Sequence, residues 1–227
     1  MSHSHPDQQI SHLEAMRAYN PTPEQRIRQM LGMQNALARP ADEIPQAQLD
    51  DLLEACHIPL LHWNRQPTEA EGWRRCVETL RARPRGSLLV VCGGRGVGKT
   101  QAAIELARPL LLSGRRAIYV TPIELAERLS ASRRWKSDES EVDVMNELTE
   151  ARLLIVDECG RGAMSLADGD RLCSLLDRRY RAMKTSVLLT NLEPEALLEN
   201  LGEMVMSRVN ECGGVIACDW PSFRGEG

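Results

Sequence analysis

Residues 92–100 have the sequence Cys92-Gly93-Gly94-Arg95-Gly96-Val97-Gly98-Lys99-Thr100. From Gly93 onward this run fits the pattern G-x-x-x-x-G-K-[ST], in which glycines let the backbone curl so that consecutive N–H groups point at phosphate oxygens. The apolar run Leu88-Leu89-Val90-Val91 precedes the pattern as a predicted strand, and a helical pattern follows it. A chance match in a chain of this length has a probability on the order of 1%. The sequence therefore predicts a phosphate-binding loop.

The chemistry of each loop residue assigns it to part of a bound nucleotide. Lys99 is expected to reach the β and γ phosphates, and the Thr100 hydroxyl is expected to hold Mg²⁺. The N-terminus of the following helix adds its positive end. We expect ATP and Mg²⁺ as cofactors, with the nucleotide bound by Gly93, Gly94, Arg95, Gly96, Val97, Gly98, Lys99, Thr100 and Gln101.

Two further apolar runs end in polar residues that suit the same site. The run 153–156, Leu-Leu-Ile-Val, is followed by Asp157 and Glu158, as expected for a buried strand that ends in acid. We expect Asp157 to bind Mg²⁺ and Glu158 to act as the base that orients water, although Glu158 could instead cap the next turn. The run 187–189 ends in Thr190-Asn191, which places an amide at the same sheet edge, although asparagine is also a common turn residue.

Short apolar runs alternate with helical patterns along most of the chain. Because these runs are continuous rather than alternating in polarity, they predict parallel strands buried on both faces by helices. Capping boxes are predicted at 68–71 and 121–124, and the first precedes a buried helical stripe of Trp73, Cys76, Val77 and Leu80. The predicted fold is a three-layer α/β/α sandwich around a five-stranded parallel sheet, with strands at 88–91, 117–120, 153–156, 187–189 and 215–217.

The segment before this core has a different pattern. Thr22-Pro23-Glu24-Gln25 predicts the start of a helix that reaches about Ala38, and Leu49, Leu52, Leu53 and Cys56 lie on one face of a second helix. Prolines separate the two helices from each other and from the rest of the chain. We therefore predict a small helical arm over residues 1–55 and a core over residues 56–227, with the arm's apolar stripes facing each other or a partner protein.

The amino-acid composition bears on DNA binding, on membrane contact and on disulfide or metal content. The net charge of −4 argues against a globally basic nucleic-acid binder, so any contact with DNA requires a local cluster such as Arg133-Arg134-Trp135-Lys136, which could equally be a solvated loop. Without a long apolar run or a leader sequence, the chain is expected to be cytoplasmic and to have no membrane contact. Seven cysteines without a CxxC pair indicate neither disulfides nor zinc, and the N-terminal histidines at 3, 5 and 12 lack supporting ligands.

Taken together, these motifs resemble those of bacterial and phage helicase loaders of the DnaC type, within the DnaC/IstB-like AAA+ ATPases. The resemblance rests on the phosphate loop, on Leu-Leu-Ile-Val-Asp-Glu, on Leu-Leu-Thr-Asn-Leu and on the runs 202–209 and 219–224, and it covers about Cys56 to Arg224. It implies an AAA+ fold without a C-terminal lid. It also implies that Asn191 is the sensor-1 residue and that Arg208 is an arginine finger for a neighbouring subunit, although Arg208 could instead form a surface salt bridge.

The resemblance implies partners as well. The arm would grip a hexameric replicative helicase, and the core would hold single-stranded DNA as a homo-oligomer whose ATP sites are shared between subunits. His57-Ile58-Pro59 would lie near the adenine, or else form a packed linker, and Arg224 would approach phosphate or a neighbour.

Three alternatives remain open at this point. An IstB-type transposition helper ATPase shares the same motifs and assembles on duplex DNA. A small-molecule P-loop kinase would need a lid and an acceptor-binding residue, which the Asp157-Glu158 pair disfavours. The third alternative is a binding module in which ATP only switches assembly, with negligible hydrolysis.

Overall fold

The computed structural model describes residues 44–134, 139–160 and 166–223. The chain divides into two compact units, Met1–Arg39 and Pro40–Gly227, and every described residue belongs to the second. The helix predicted from Thr22 and the N-terminal histidines lie outside the described residues, as do Trp135, Lys136 and Arg224.

Helices and strands alternate through the described unit. Three helices come first, and each strand except the last is then followed by a helix. In chain order the elements are α1 (Gln46–Ala55), α2 (Leu60–Trp63), α3 (Glu71–Ala82), β1 (Leu88–Gly93), α4 (Lys99–Leu112), β2 (Ala117–Val120), α5 (Pro122–Ala131), α6 (Glu141–Glu150), β3 (Leu153–Cys159), α7 (Leu166–Arg181), β4 (Thr185–Thr190), α8 (Pro194–Cys212) and β5 (Gly214–Cys218).

The five strands form one parallel sheet in the order β2-β3-β4-β1-β5. Helices α1, α2 and α3 contact α4, whereas α5, α6 and α8 contact α7, so two helical layers enclose the sheet. The predicted three-layer sandwich with a five-stranded parallel sheet is confirmed.

The apolar runs form strands because both of their faces are covered. In β1, Leu89, Val90 and Val91 are fully buried, and so are Leu154, Ile155 and Val156 in β3. Burial of a Leu, Ile or Val side chain contributes roughly 1.5–3 kcal/mol to folding, so these buried strand residues contribute strongly to the stability of the domain.

The helices follow the sequence patterns with one exception at a helix start. The predicted stripe of α3 is buried, and the predicted capping box of α5 is formed, since Thr121 Oγ1 accepts from Glu124 N at 3.2 Å. The capping box predicted at 68–71 is wrong. Helix α3 begins at Glu71 with Ala70 as its N-cap, and Thr68 Oγ1 accepts a bond from Ala70 N at 3.3 Å instead.

Helix α1, which the sequence pattern assigns to the arm, packs on the α/β core. Its Leu49 and Leu53 are buried, as is Cys56 directly after it, and Ile44 N donates to Leu112 O at the end of α4. The apolar stripe of this helix is therefore covered within the described unit. The assignment of residues 1–55 to a partner-binding arm stays a prediction.

A fully buried arginine ties α6, α7 and β4 together. Arg179 is 0% exposed, and its guanidinium donates to the carbonyls of Leu148, Thr149 and Ala151 at the end of α6, to Thr185 O and to the Ser186 hydroxyl. Burial lowers the pKa of Arg179 to about 9, with a small opposing effect of Glu150, and the group stays protonated at neutral pH. One cation therefore satisfies carbonyls that would otherwise lack donors.

We predict that Arg179→Met destabilises the domain strongly. The substitution leaves several buried carbonyls without donors, and each such group costs about 1–3 kcal/mol, so the expected loss in free energy of unfolding is roughly 3 kcal/mol or more. Urea unfolding followed by circular dichroism measures this loss. The exposed neighbour Arg178→Met is the matched control and should shift stability by no more than about 0.5 kcal/mol. Equal stability of the two variants would contradict the structural role of Arg179.

Candidate nucleotide-binding site

The predicted site residues meet where three parallel strands end. β1 ends at Gly93 and β4 at Thr190, one residue before Asn191, while Asp157 lies near the end of β3. In the sheet register Cys92 pairs with Thr190, and Val156 pairs with Leu188. The loop glycines, the acid and the amide therefore lie at one edge of the sheet.

The loop that leaves β1 has a backbone that requires glycine at particular positions. Gly96 and Gly98 have φ values of 82° and 86°, in the left-handed region that side chains disfavour. A Cβ at Gly98 would also lie 2.9 Å from the Trp73 ring, and a Cβ at Gly93 would lie 2.5 Å from Cys218 O. Any side chain at these positions would distort the loop.

Lys99 lies at the centre of the loop it follows. The residue is only 8% exposed, and its Nζ donates to Gly93 O, Gly94 O and Asn191 Oδ1, each at 2.8 Å. The ammonium therefore links the start of the loop to the end of β4. In this position it can also neutralise anionic groups that enter the loop.

Asp157 joins the loop to the strands on its other side. Its Oδ2 accepts hydrogen bonds from Thr100 Oγ1 at 2.7 Å and from Tyr119 OH at 2.9 Å. Burial raises the pKa of Tyr119, and the neighbouring Asp157 carboxylate raises it further, so the phenol stays a proton donor. The sequence did not single out Tyr119, although it is the polar member of the β2 run.

Glu158 lies on an irregular stretch of β3. The register of β3 against β4 shifts between Val156 and Cys159, and Glu158 has a φ of 58°, in the left-handed region. Its backbone N donates to Asp157 Oδ1 at 2.6 Å. Strained conformations of this kind, held by surrounding structure, are often found at functional sites. The bulge turns the Glu158 side chain toward the cleft that Asp157 lines.

The donor set of the site fits a hard cation. The Thr100 hydroxyl and the Asp157 carboxylate share a hydrogen bond, and both are oxygen ligands of the kind that Mg²⁺ prefers. Mg²⁺ typically uses one or two protein oxygens together with substrate phosphates, so this pair beside a phosphate loop suits it.

A cleft of about 460 Å³ opens beside the loop. Its volume lies in the range of small-molecule sites. Beyond the loop and the strand ends, the cleft is lined by residues that precede and follow the core strands, namely His62, Arg65, Gln66, Thr68, Trp73 and Phe223.

The segment 57–59, expected near the adenine, does not line this cleft. Ile58 is buried in the core, and the residues that reach the cleft begin four positions later, at His62. His62 Nδ1 lies 3.4 Å from Gln101 Oε1, while the buried Gln101 Nε2 makes no hydrogen bond within the described structure. A polar pair therefore faces the cleft where a base or ribose can be recognised.

Three aromatic residues hold the loop by donating hydrogen bonds to its backbone carbonyls. Trp73 Nε1 donates to Gly98 O at 3.1 Å, and Trp220 Nε1 donates to Val97 O at 2.9 Å. The backbone N of Phe223 donates to Gly96 O at 3.0 Å. These three bonds fix the carbonyls of Gly96, Val97 and Gly98 and so hold the conformation of the loop. The sequence indicated Trp73 only as a core residue and gave no sign of the indole bonds.

Arg208 lies away from the cleft of its own chain. On α8 its guanidinium stacks over the Tyr180 ring at 4.1 Å and pairs with Asp177 at 3.7 Å and Glu211 at 3.3 Å. The side chain is 31% exposed, so it is partly accessible at the surface. The structure thus separates Arg208 from Lys99, Asp157, Glu158 and Asn191, which it brings together.

Two further candidate groups that the structure describes, Arg133 and Arg134, do not line the cleft. Arg133 pairs with Glu141 at 3.4 Å, and Arg134 is exposed. The seven cysteines are free, and the described residues contain no cluster of three or more potential metal-binding side chains. Within the described segments, no helix is long and apolar enough to span a bilayer.

With this geometry in view, the comparison with known proteins places the chain in a family. The model of IstB-like ATP binding proteins matches residues 75–208, which is more than half of the chain. The chain therefore belongs to the IstB-like ATP-binding family, within the wider group of DnaC-like and IstB-like AAA+ proteins that the sequence motifs indicated.

Curated relatives agree with this assignment. The uncharacterized protein YdaV of Escherichia coli strain K12 is 33% identical over 133 residues, covering 58% of this chain and 53% of YdaV. The replicative helicase loader DnaC of the same strain is 28% identical over 136 residues, covering 60% of this chain and 55% of DnaC. The chain spans about half the length of the curated relatives it matches.

Solved structures share the fold. A DnaC helicase loader superimposes with a TM-score of 0.55 at 21% identity, covering 70% of this chain and 99% of that structure. DnaI superimposes with a TM-score of 0.56 at 19% identity, covering 74% and 94% of the two chains. At these identities the likeness shows the shared α/β fold alone.

We predict that Trp220→Phe weakens nucleotide binding while leaving the fold intact. The change keeps an aromatic ring but removes the donor to Val97 O, and one hydrogen bond of about 1 kcal/mol corresponds to a roughly fivefold weaker affinity. Titration with a fluorescent ATP analogue measures the effect. Trp63→Phe is the control, because Trp63 stacks on Arg108 and its indole makes no bond to the loop. Equal affinities of the two variants would show that the indole does not hold the loop.

Proposed function

We propose that this protein is an ATP-controlled helicase loader of DNA replication. In this role it acts as a homo-oligomer that binds a hexameric replicative helicase and single-stranded DNA, and ATP binding and hydrolysis control these contacts. The observation that carries the proposal is the convergence of Lys99, the Thr100–Asp157 pair and Asn191 at one sheet edge. Among the relatives, DnaC is named as a replicative helicase loader.

The residues of the site have separate tasks in this proposal. The amides of 93–98 and the Lys99 ammonium bind the triphosphate, and Thr100 with Asp157 would hold Mg²⁺. When bound, Mg²⁺ would neutralise charge on the phosphates. Glu158, held at the cleft by the bulge of β3, orients the attacking water and accepts its proton. Asn191 lies within 2.8 Å of Lys99 Nζ and so positions both the lysine and the terminal phosphate.

Control by ATP depends on Arg208 acting between subunits. Its partial exposure, and its absence from the lining of its own cleft, suit a guanidinium that is offered to the ATP of a neighbour. There it would stabilise the charge that develops during phosphoryl transfer. The rival role is a local one, in which Arg208 only pairs with Asp177 and Glu211.

The family name supports a second candidate, a transposition helper ATPase of the IstB type. Such a protein would use the same nucleotide site and would assemble on duplex DNA with a transposase. The two candidates differ in the partner protein and in the form of DNA, while the ATP chemistry is common to both.

We predict that Lys99→Ala and Asp157→Ala each abolish productive ATP binding or turnover. The first removes the buried cation of the loop, and the second removes the acceptor shared by Thr100 and Tyr119. Removal of groups that act together at a transition state typically lowers turnover by about 100-fold or more. Steady-state phosphate release measures this, with the exposed Glu78→Ala as control. Undiminished turnover in either site variant would count against the nucleotide site.

Mixed oligomers test whether sites are shared between subunits. Arg208→Ala and Glu158→Gln should each be inactive alone, because one lacks the finger and the other lacks the base. In an equimolar mixture about a quarter of head-to-tail interfaces combine an intact Glu158 with a neighbour's Arg208, so about a quarter of wild-type turnover should return. Without any recovery in the mixture, the shared site is excluded.

The partner is tested by co-migration on a sizing column. The loader proposal expects the protein to co-elute with a hexameric replicative helicase in ATP, and to lose this co-elution when Lys99→Ala is used. A transposase serves as the second bait. Co-elution with the transposase instead of the helicase would replace the proposal with the second candidate.

A further inference from the structure

The edge of the sheet opposite the nucleotide site carries a row of cations. Arg115 and Arg116 directly precede β2, Arg152 precedes β3, Lys184 precedes β4, and Arg85 lies three residues before β1. These four strands are adjacent, in the order β2-β3-β4-β1. Since neighbouring strands lie about 4.8 Å apart, the row extends over roughly 14 Å.

Several of these cations line one shallow depression of about 330 Å³. Arg115, Arg116, Arg152 and Lys184 contribute to its wall together with Glu147 and Glu150. Burial lowers the pKa of Arg152, and the positive charges of Arg85 and Arg115 lower it further. Because they precede adjacent strands, these cations lie together at one edge of the sheet, and we call them the amino-edge row (Arg85, Arg115, Arg116, Arg152 and Lys184).

The nearby carboxylates do not neutralise this row. Glu147 is shared between Arg116 and Arg128, and Glu150 pairs with Lys184 at 3.1 Å. In the described part of the chain, neither Arg115 nor Arg152 forms an ion pair. The buried Arg179 adds a further positive charge behind the row, because carbonyls and a hydroxyl are its hydrogen-bond partners.

This arrangement is not explained by a structural role. Arg116 and Lys184 hold their carboxylates, but the guanidinium groups of Arg115 and Arg152 hold nothing within the described residues. Clustering like charges at a surface costs free energy unless an anion binds them. In a chain with a net charge of −4, a local excess of cations favours a surface that binds anions.

The geometry favours a linear polyanion. Guanidinium groups match the oxygens of phosphate in paired hydrogen bonds, and a row of them matches successive phosphates along a strand. The depression has no aromatic side chain in its wall, so it offers no surface on which bases could stack. A ligand here would be held by its backbone and without regard to base sequence.

We propose that the amino-edge row binds the phosphodiester backbone of nucleic acid. This inference deepens the proposed function, since it assigns the DNA contact of a loader to a surface other than the 133–136 cluster. The row lies at the opposite end of the strands from the phosphate loop, and the six residues of β1 span about 20 Å. Nucleic acid and ATP therefore occupy separate sites, and neither excludes the other.

The experiment compares Arg115→Gln/Arg152→Gln with the control Arg74→Gln/Arg75→Gln. Both double variants remove two positive charges, and the control arginines are exposed on α3. Fluorescence anisotropy with labelled dT20 and with a 20-base-pair duplex, over a series of salt concentrations, gives the affinity and its salt dependence. Binding of the fluorescent ATP analogue is measured in parallel.

For the single strand, loss of two phosphate contacts should reduce the slope of log K against log salt by about 1.4 and weaken binding about 25-fold at 0.1 M salt. The control should match the wild type, and ATP affinity should be unchanged in both variants. The stronger of the two DNA ligands identifies whether the row holds a single strand or a duplex.

Three results would overturn the proposal. The first is that the wild-type protein does not bind nucleic acid at low salt. The second is that the edge variant and the control bind it equally well. The third is that polyglutamate competes for the row as strongly as DNA does, which would assign the row to an acidic protein segment. The failure of the proposed function gives a different pattern. The nucleotide site fails if the wild type does not bind the ATP analogue, and the loader role fails if the protein does not co-elute with the helicase. The nucleic-acid affinities of the edge variant and its control depend on neither result.

Discussion

Parallel pairing of the five strands is the constraint on which this molecule's chemistry depends. Because all strands point the same way, their last residues gather at one edge and the residues before them gather at the other. The first edge collects the loop after β1, Asp157 after the apolar part of β3, and Asn191 after β4. The second collects the cations of the amino-edge row. The parallel topology therefore creates two separate surfaces, one at each end of the strands, about the length of a strand apart.

At the first edge, the loop is held from both sides. Lys99 binds the carbonyls of Gly93 and Gly94 from within, whereas the indoles of Trp73 and Trp220 bind the carbonyls of Gly98 and Val97 from outside. With these carbonyls bound, the loop backbone is held in one conformation before any ligand arrives. Such preorganisation reduces the ordering cost of binding.

Much of this could be predicted from sequence, because the signals were local. The loop, the strand that ends in Asp157 and the strand that ends in Asn191 each depend on a few consecutive residues, and parallel topology then brings them together. Tyr119 could not be predicted, since its bond to Asp157 depends on the register in which it pairs with Ile155. The indole of Trp220 reaches Val97 across 123 residues of chain, and the amino-edge row emerges only once the strand order is known. The start of α3 differs from the prediction although its signal is local, because Thr68 Oγ1 accepts a bond from Ala70 N and does not cap the helix that begins at Glu71.

The most direct measurement is a crystal structure with a non-hydrolysable ATP analogue and Mg²⁺. We expect the triphosphate to lie along the amides of 93–98, Lys99 Nζ to turn from the Gly93 and Gly94 carbonyls to phosphate oxygens, and the metal to lie between Thr100 and Asp157. A nucleotide bound elsewhere, or a lysine that keeps its carbonyl bonds beside a bound triphosphate, would contradict this expectation.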